Sequence, residues 1–163
     1  MAPAQAQESA ERERLIKTAF IYNIAKFTRW PENAADQASA TLSLCIAGED
    51  ELVDALGQLR GKTIKGRPLA IQTLKTAQVP KNCEILYVAG SKRSGQLDLI
   101  GSAGGQPTLT VSELPGFGRN GGMVELYREE GRVRFIINLG AARAAGLEIS
   151  PRLLNLAVVI GQE

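Results

Sequence analysis

Between Glu11 and Trp30 the apolar positions Ile16, Ala19, Phe20, Phe27 and Trp30 recur at three- and four-residue spacing, with Asn23 the one polar member of the stripe. That spacing predicts an amphipathic helix whose aromatic stripe packs against a core. Pro31 disfavours the helical conformation at Trp30 and should end the helix there, and Glu32 to Ala40 reads as a small, polar connector. Thr41 to Ala47 alternates and then turns apolar, stops at Gly48, and gives way to Leu52, Val53, Leu56 and Leu59 at helical spacing. The expectation is a strand, a turn and a helix over Glu49 to Leu59. Further strands are predicted at Leu69 to Leu74, Glu84 to Ala89 and Thr108 to Ser112, with a helix around Gly95 to Ser102 before the last of them.

After a glycine-rich stretch from Pro115 to Gly122, Met123 to Arg128 and Arg132 to Asn138 flank Glu129-Glu130-Gly131, the pattern of an antiparallel hairpin. Two short helices follow. Ala141 to Ala145 is stopped by Gly146, and the second opens at Ser150-Pro151, a serine cap followed by a first-turn proline. Strands alternating with helices imply parallel pairing. The predicted fold is α/β and three-layered: a mixed, mostly parallel sheet with helices on both faces and a C-terminal antiparallel hairpin.

The length of 163 residues and the 44% apolar content suit one domain with a real core. Residues 1–10 are expected as a disordered remnant left by signal-peptide removal, because the opening Met1 to Gln7 is small and polar and offers small-x-small cleavage patterns. Residues 11–163 are expected as the single domain. The balance of 19 basic against 17 acidic residues, net +2, gives no field that would draw nucleic acid or an anionic membrane. The apolar run Leu156 to Ile160 is far short of the roughly 20 residues that span a bilayer, so no direct membrane insertion is expected.

The chain contains no histidine, which removes histidine triads, histidine bases and most catalytic zinc sites. Ser91, Ser94 and Ser112 are therefore poor nucleophile candidates. No metal and no cofactor is expected. Cys45 and Cys83 lie in or at the start of predicted strands, and read from spacing they are either buried free thiols or a disulfide, with half a metal site a distant third. Gly116 to Gly122 looks superficially like a phosphate cradle, but it lacks Lys-Ser/Thr and precedes a strand, so a flexible turn is the better reading. Asp50 and Glu51 suit a helix's first turn rather than acid-base work, and Glu129 and Glu130 suit a solvated hairpin tip.

Three composite segments carry a family likeness. They are Leu15-Ile16-Lys17-Thr18-Ala19-Phe20-Ile21-Tyr22-Asn23-Ile24-Ala25-Lys26-Phe27-Thr28-Arg29-Trp30-Pro31, then Leu109-Thr110-Val111-Ser112-Glu113-Leu114-Pro115-Gly116-Phe117 with Gly121-Gly122-Met123, and Val133-Arg134-Phe135-Ile136-Ile137-Asn138-Leu139. Together, and with Gly61-Lys62-Thr63 and Ile149-Ser150-Pro151-Arg152-Leu153-Leu154, they resemble the YfiR family of periplasmic regulators. The resemblance implies an exported domain, commonly a homodimer. Its best-known member holds a membrane-bound diguanylate cyclase inactive by binding the enzyme's periplasmic part, which lowers cyclic-di-GMP and biofilm formation. Other members occur beside sensor kinases. The resemblance also implies that Cys45 and Cys83 are bridged; a second cysteine pair found in some relatives is absent here.

A regulator without catalytic groups must act by contact, which places the expected partner surface on the glycine-rich loop and C-terminal helices: Phe117, Arg119, Met123, Leu147, Ile149 and Leu153. The competing function is a small-molecule sensor whose ligand sits at the carboxyl ends of the parallel strands.

Overall fold

The structure is a computed structural model in which residues 4–31 and 40–162 are described. Most of the expected Glu32 to Ala40 connector lies outside the described residues. The first helix, α1 (Ala4–Lys26), is longer at its start and shorter at its end than the spacing suggested. Its first residues, 4–10, are helical and exposed. It stops at Lys26 because the chain turns extended into β1 (Thr28–Arg29), which pairs antiparallel with β9 (Glu148–Ile149). The Thr28 hydroxyl donates to the Ile24 carbonyl at 2.7 Å, satisfying one of the carbonyls that a helix end leaves open.

The expected aromatic stripe is not the buried one. Thr18, Ile21, Ile24 and Ala25 face the sheet, whereas Ala19 and Asn23 are exposed and Ile16 and Phe27 remain 39% and 40% exposed. At 100° per residue the centres of the two stripes lie about 150° apart around the helix. The shorter side chains of the Ile21 stripe allow the backbone to approach the strands, and the bulky stripe is left at the margin. Phe20 packs edge-on against Phe135 with ring centroids 5.9 Å apart and is half-buried. Trp30, beyond the helix, lies partly buried with its indole N–H donating to the Glu84 carbonyl at 3.1 Å.

The remaining elements follow the expected order. They are β2 (Leu42–Ala47), α2 (Val53–Gly57), β3 (Thr63–Ile64), β4 (Arg67–Leu74), β5 (Ile85–Val88), α3 (Gln96–Ala103), β6 (Leu109–Ser112), β7 (Val124–Glu129), β8 (Arg132–Asn138), α4 (Leu139–Ala144), β9, α5 (Pro151–Leu154) and β10 (Val158–Ile160). One eight-stranded sheet runs in the order β10-β8-β7-β6-β5-β2-β4-β3. All its pairings are parallel except β7 with β8 and β3 with β4. In both hairpins the two turn residues take positive φ, Lys65-Gly66 at 52° and 81° and Glu130-Gly131 at 52° and 76°, as tight two-residue turns require. Helix α2 is shorter than the expected Glu49 to Leu59, since the chain from Glu49 to Leu52 is spent on a turn held by Asp50.

Alternation along the strands divides the apolar side chains between two cores. Leu44 and Ile46, Tyr87, Val111, Leu126, Phe135 and Ile137 meet α1, α2 and α4 on one face. Cys45, Ala47, Leu86 and Val88 meet Leu99 and Ala103 of α3 on the other. The three-layer, mixed and mostly parallel architecture therefore forms as the chain pattern indicates.

Candidate functional site

Strand β2 leads through α2 to β4 on one side, while β5 leads through α3 to β6 on the other. The carboxyl ends of β2 and β5 thus form the topological switch point, where open α/β sheets commonly hold ligands. Asp50 stands there. One carboxylate oxygen accepts from the Leu52 amide at 2.8 Å, and the other accepts from the Gly90 amide at 2.9 Å and the Tyr87 hydroxyl at 2.7 Å. Glu113, at the end of β6, places an oxygen 3.3 Å from the same hydroxyl and pairs with Lys17 of α1. Lys17 also meets Glu13 at 3.6 Å, and Glu13 meets Arg128 of β7 at 3.2 Å.

This chain of charges runs from the strand ends along α1 to the β7–β8 hairpin. Tyr87 is fully buried, and burial, reinforced by the carboxylates of Asp50 and Glu113, pushes its hydroxyl far above the usual tyrosine range. Gly48 (φ 90°) carries the backbone within reach of the next loop: a Cβ there would meet Ser91 Oγ at 2.6 Å and Lys92 Cγ at 2.7 Å. Asp50 and Glu51 lie in the turn ahead of α2 and not in its first turn, where Asp54 stands instead; Asp50 holds that turn, and Glu51 is an exposed neighbour of Arg14 at 4.0 Å. Tyr87 was not among the expected residues. Its one signal was a hydroxyl inside the apolar run Ile85-Leu86-Tyr87-Val88, which must find a partner when buried.

Cys45 and Cys83 form a disulfide, with Cα atoms 6.0 Å apart, that ties β2 to the segment entering β5. It lies within the α3-side core.

Five of the six residues expected to meet a partner are interior. Phe117 is fully buried among Leu86, Val88, Leu99 and Leu114, and Met123, Leu147, Ile149 and Leu153 are each buried in the other core. Arg119 alone is exposed. The glycine content of the loop hides Phe117. Gly122 has no side chain, and the Phe117 ring lies where its Cβ would stand. The loop is pinned, not loose: the buried Glu125 carboxylate accepts from the Gly118 amide at 2.9 Å and the Gly116 amide at 3.2 Å, and the Asn138 amide donates to the Gly118 carbonyl at 2.8 Å. Leu147 and Ile149 are covered because Ile149 belongs to the β1–β9 ribbon.

The accessible apolar surface is elsewhere. Helix α1 covers the β7–β8 hairpin only in part, leaving a groove of about 480 Å³ between Phe20 and Ile24 of α1, the adjoining Phe27, Val133 and Phe135 of β8, and Leu156. It continues past Phe20 and Val133 into a second hollow of about 470 Å³ lined by Ser9, Arg12, Ile16 and Arg128. Leu156 and Val158, 70% and 50% exposed, extend the apolar margin along the C-terminal edge. A smaller pocket of about 310 Å³, between the β1–β9 ribbon and Lys65, gathers Lys26, Arg29, Lys65 and Ser150. Burial and the neighbouring Arg29 charge hold the Lys65 ammonium below its ordinary value. No helix among the described residues is long and apolar enough to cross a membrane.

The chain is a disulfide-stapled, three-layer α/β domain with an apolar groove beside its first helix. The sequence profile of the YfiR/HmsC-like family matches residues 14–158. The chain belongs to that family, a family of periplasmic regulators that act on membrane-bound signalling proteins.

Proposed function

We propose that this chain is a periplasmic repressor that binds the periplasmic part of an inner-membrane diguanylate cyclase and holds the enzyme inactive, lowering cyclic-di-GMP and biofilm formation. Family membership over residues 14–158 carries this reading. The Cys45–Cys83 bridge agrees with an oxidising compartment, and the half-exposed Ile16 and Phe27 agree with work done by contact. Of the residues first expected at the contact, Arg119 alone offers an accessible side chain. The active form is a homodimer.

The test is to export the chain in cells carrying the cognate cyclase and measure cyclic-di-GMP, with the same chain confined to the cytoplasm as the control. Cyclic-di-GMP should fall only with the exported protein, and the purified cyclase periplasmic domain should bind it. An unchanged nucleotide level together with no binding would overturn the proposal. The second reading, a small-molecule sensor acting on a sensor kinase, is favoured by the pocket where Lys26, Arg29 and Lys65 outnumber one carboxylate, Glu148, which pairs with Arg29; that excess of positive charge suits a small carboxylate. A rise in melting temperature with such ligands, lost in Lys65→Ala, would support it.

A further inference from the structure

We propose that the groove between α1 and the β7–β8 hairpin receives an acidic amphipathic helix of the membrane-bound signalling partner, which lies beside α1 and completes the helical layer on that face. The inference rests on the reading of the chain as a regulator that binds such a partner. Four observations converge on one occupant.

The first is shape. The two hollows share Phe20, Arg132 and Val133 and run along α1 from Ser9 to Phe27, a length of about 27 Å at the helical rise, or about five turns of a docked helix. The second is the floor. Val133 and Phe135 of β8, opposite Arg128 and Leu126 of β7, point to the same face as the strand side chains that α1 and α2 cover elsewhere. A helix is what the other strands on this face already carry.

The third is the side wall. Ile16, Phe20 and Phe27 form a stripe at helical spacing that the core leaves partly uncovered, and apolar anchors at such spacing are how helix-in-groove recognition is built. The fourth is charge. Arg12, Arg128 and Arg132 stand at the hairpin end and Lys26 at the other, against a single lining carboxylate, Glu13, which is already engaged by Lys17 and Arg128. Arg12, Arg132 and Lys26 have no acidic partner among the described residues. A rim of this sign selects a negatively charged helix and disfavours a second copy of the same surface, which would bring cations onto cations.

The experiment uses the full chain and the purified periplasmic domain of the cognate diguanylate cyclase, with affinity measured by calorimetry at low and high salt. Ile16→Glu and Phe27→Glu, at side chains already partly exposed, should keep the wild-type melting temperature and weaken binding by at least about tenfold each, the scale of a lost interface anchor. Arg132→Glu should weaken binding and flatten its salt dependence, since the screened attraction is what it removes. As a control for misfolding, Phe27→Leu keeps the apolar contact and should bind within about threefold of wild type.

If the wild type binds and the folded Glu variants bind equally well, the groove is not the site, while the regulatory reading stands. Should the variants instead turn a dimer into a monomer and leave cyclase binding intact, the groove is an interface between copies and the proposal is overturned. If the wild type fails to bind the cyclase domain at all, the regulatory reading fails and the proposal with it.

Discussion

Phe117 and Phe27 exchange the roles that their sequence contexts suggest, and replacing each by alanine measures the exchange. Phe117 is fully buried in the α3-side core, in contact with a cluster that includes Leu86, Val88, Leu99 and Leu114. Removing its ring takes away the apolar transfer energy and leaves a cavity that the disulfide-tied strands cannot readily close. Buried phenylalanines truncated in this way lose about 3 to 5 kcal/mol. For a chain of this size, about 2 to 4 °C of melting temperature per kcal/mol gives a fall of about 6 to 20 °C. Phe27 keeps 40% of its surface in solvent and leaves little cavity when truncated, so Phe27→Ala should cost less than about 1 kcal/mol. Urea unfolding of the oxidised proteins, monitored by tryptophan fluorescence and fitted with a common slope, separates the two. A loss below about 1 kcal/mol for Phe117→Ala, or a larger loss for Phe27→Ala than for Phe117→Ala, would refute the assignment of which aromatic ring the fold encloses.

Three further outcomes follow from named contacts. Tyr87 has its folded-state value raised, so its contribution to stability is present below the usual tyrosine value of 10.0 and is lost as pH rises above it, where the unfolded chain ionises and the native chain does not. Tyr87→Phe should abolish that alkaline loss in unfolding titrations and, by stripping Asp50 and Glu113 of the hydroxyl, cost about 1 to 3 kcal/mol near neutrality; an unchanged alkaline slope would sink the assignment. Opening the Cys45–Cys83 bridge releases a loop of 38 positions and should lower stability by about 4 kcal/mol in the chain-entropy account, read as the difference between unfolding curves with and without reductant; two reactive thiols per unreduced chain would show that no bridge forms. Gly122→Ala drives a methyl group into the Phe117 ring and should cost about 1 to 3 kcal/mol, whereas Gly57→Ala, with open space at the Cβ position, should not destabilise, and equal effects at the two glycines would mean that the loop gives way easily.

Local pattern was enough to set out most of the architecture. Period-two alternation and short apolar runs placed β2, β4, β5, β6 and the β7–β8 hairpin, because a strand's side chains face opposite ways whatever packs on them. Ser150-Pro151 marked the start of α5, and Ser150 indeed accepts from the Arg152 amide at 3.2 Å, since capping is settled within one turn of chain. The family likeness was legible in the same way, as ordered composite motifs.

What the chain alone left undecided needed partners distant in sequence. Strands β1, β3, β9 and β10 have two or three residues each, too few to show a period, and they exist only because a neighbour supplies the hydrogen bonds. The first helix carries two apolar stripes, and no local rule states which one the sheet will accept; the sheet took the slimmer Ile21–Ile24–Ala25 face and left Ile16 and Phe27 at its margin. The glycine loop was legible as a turn. That its missing side chain makes room for Phe117, and that Glu125 holds it, depends on bringing β7 beneath the loop. The polar cluster around Tyr87 is likewise tertiary: Lys17, Asp50, Tyr87 and Glu113 come from four separate segments, and only the parallel sheet gathers their ends at one edge, where low dielectric and mutual pairing hold each charge in place.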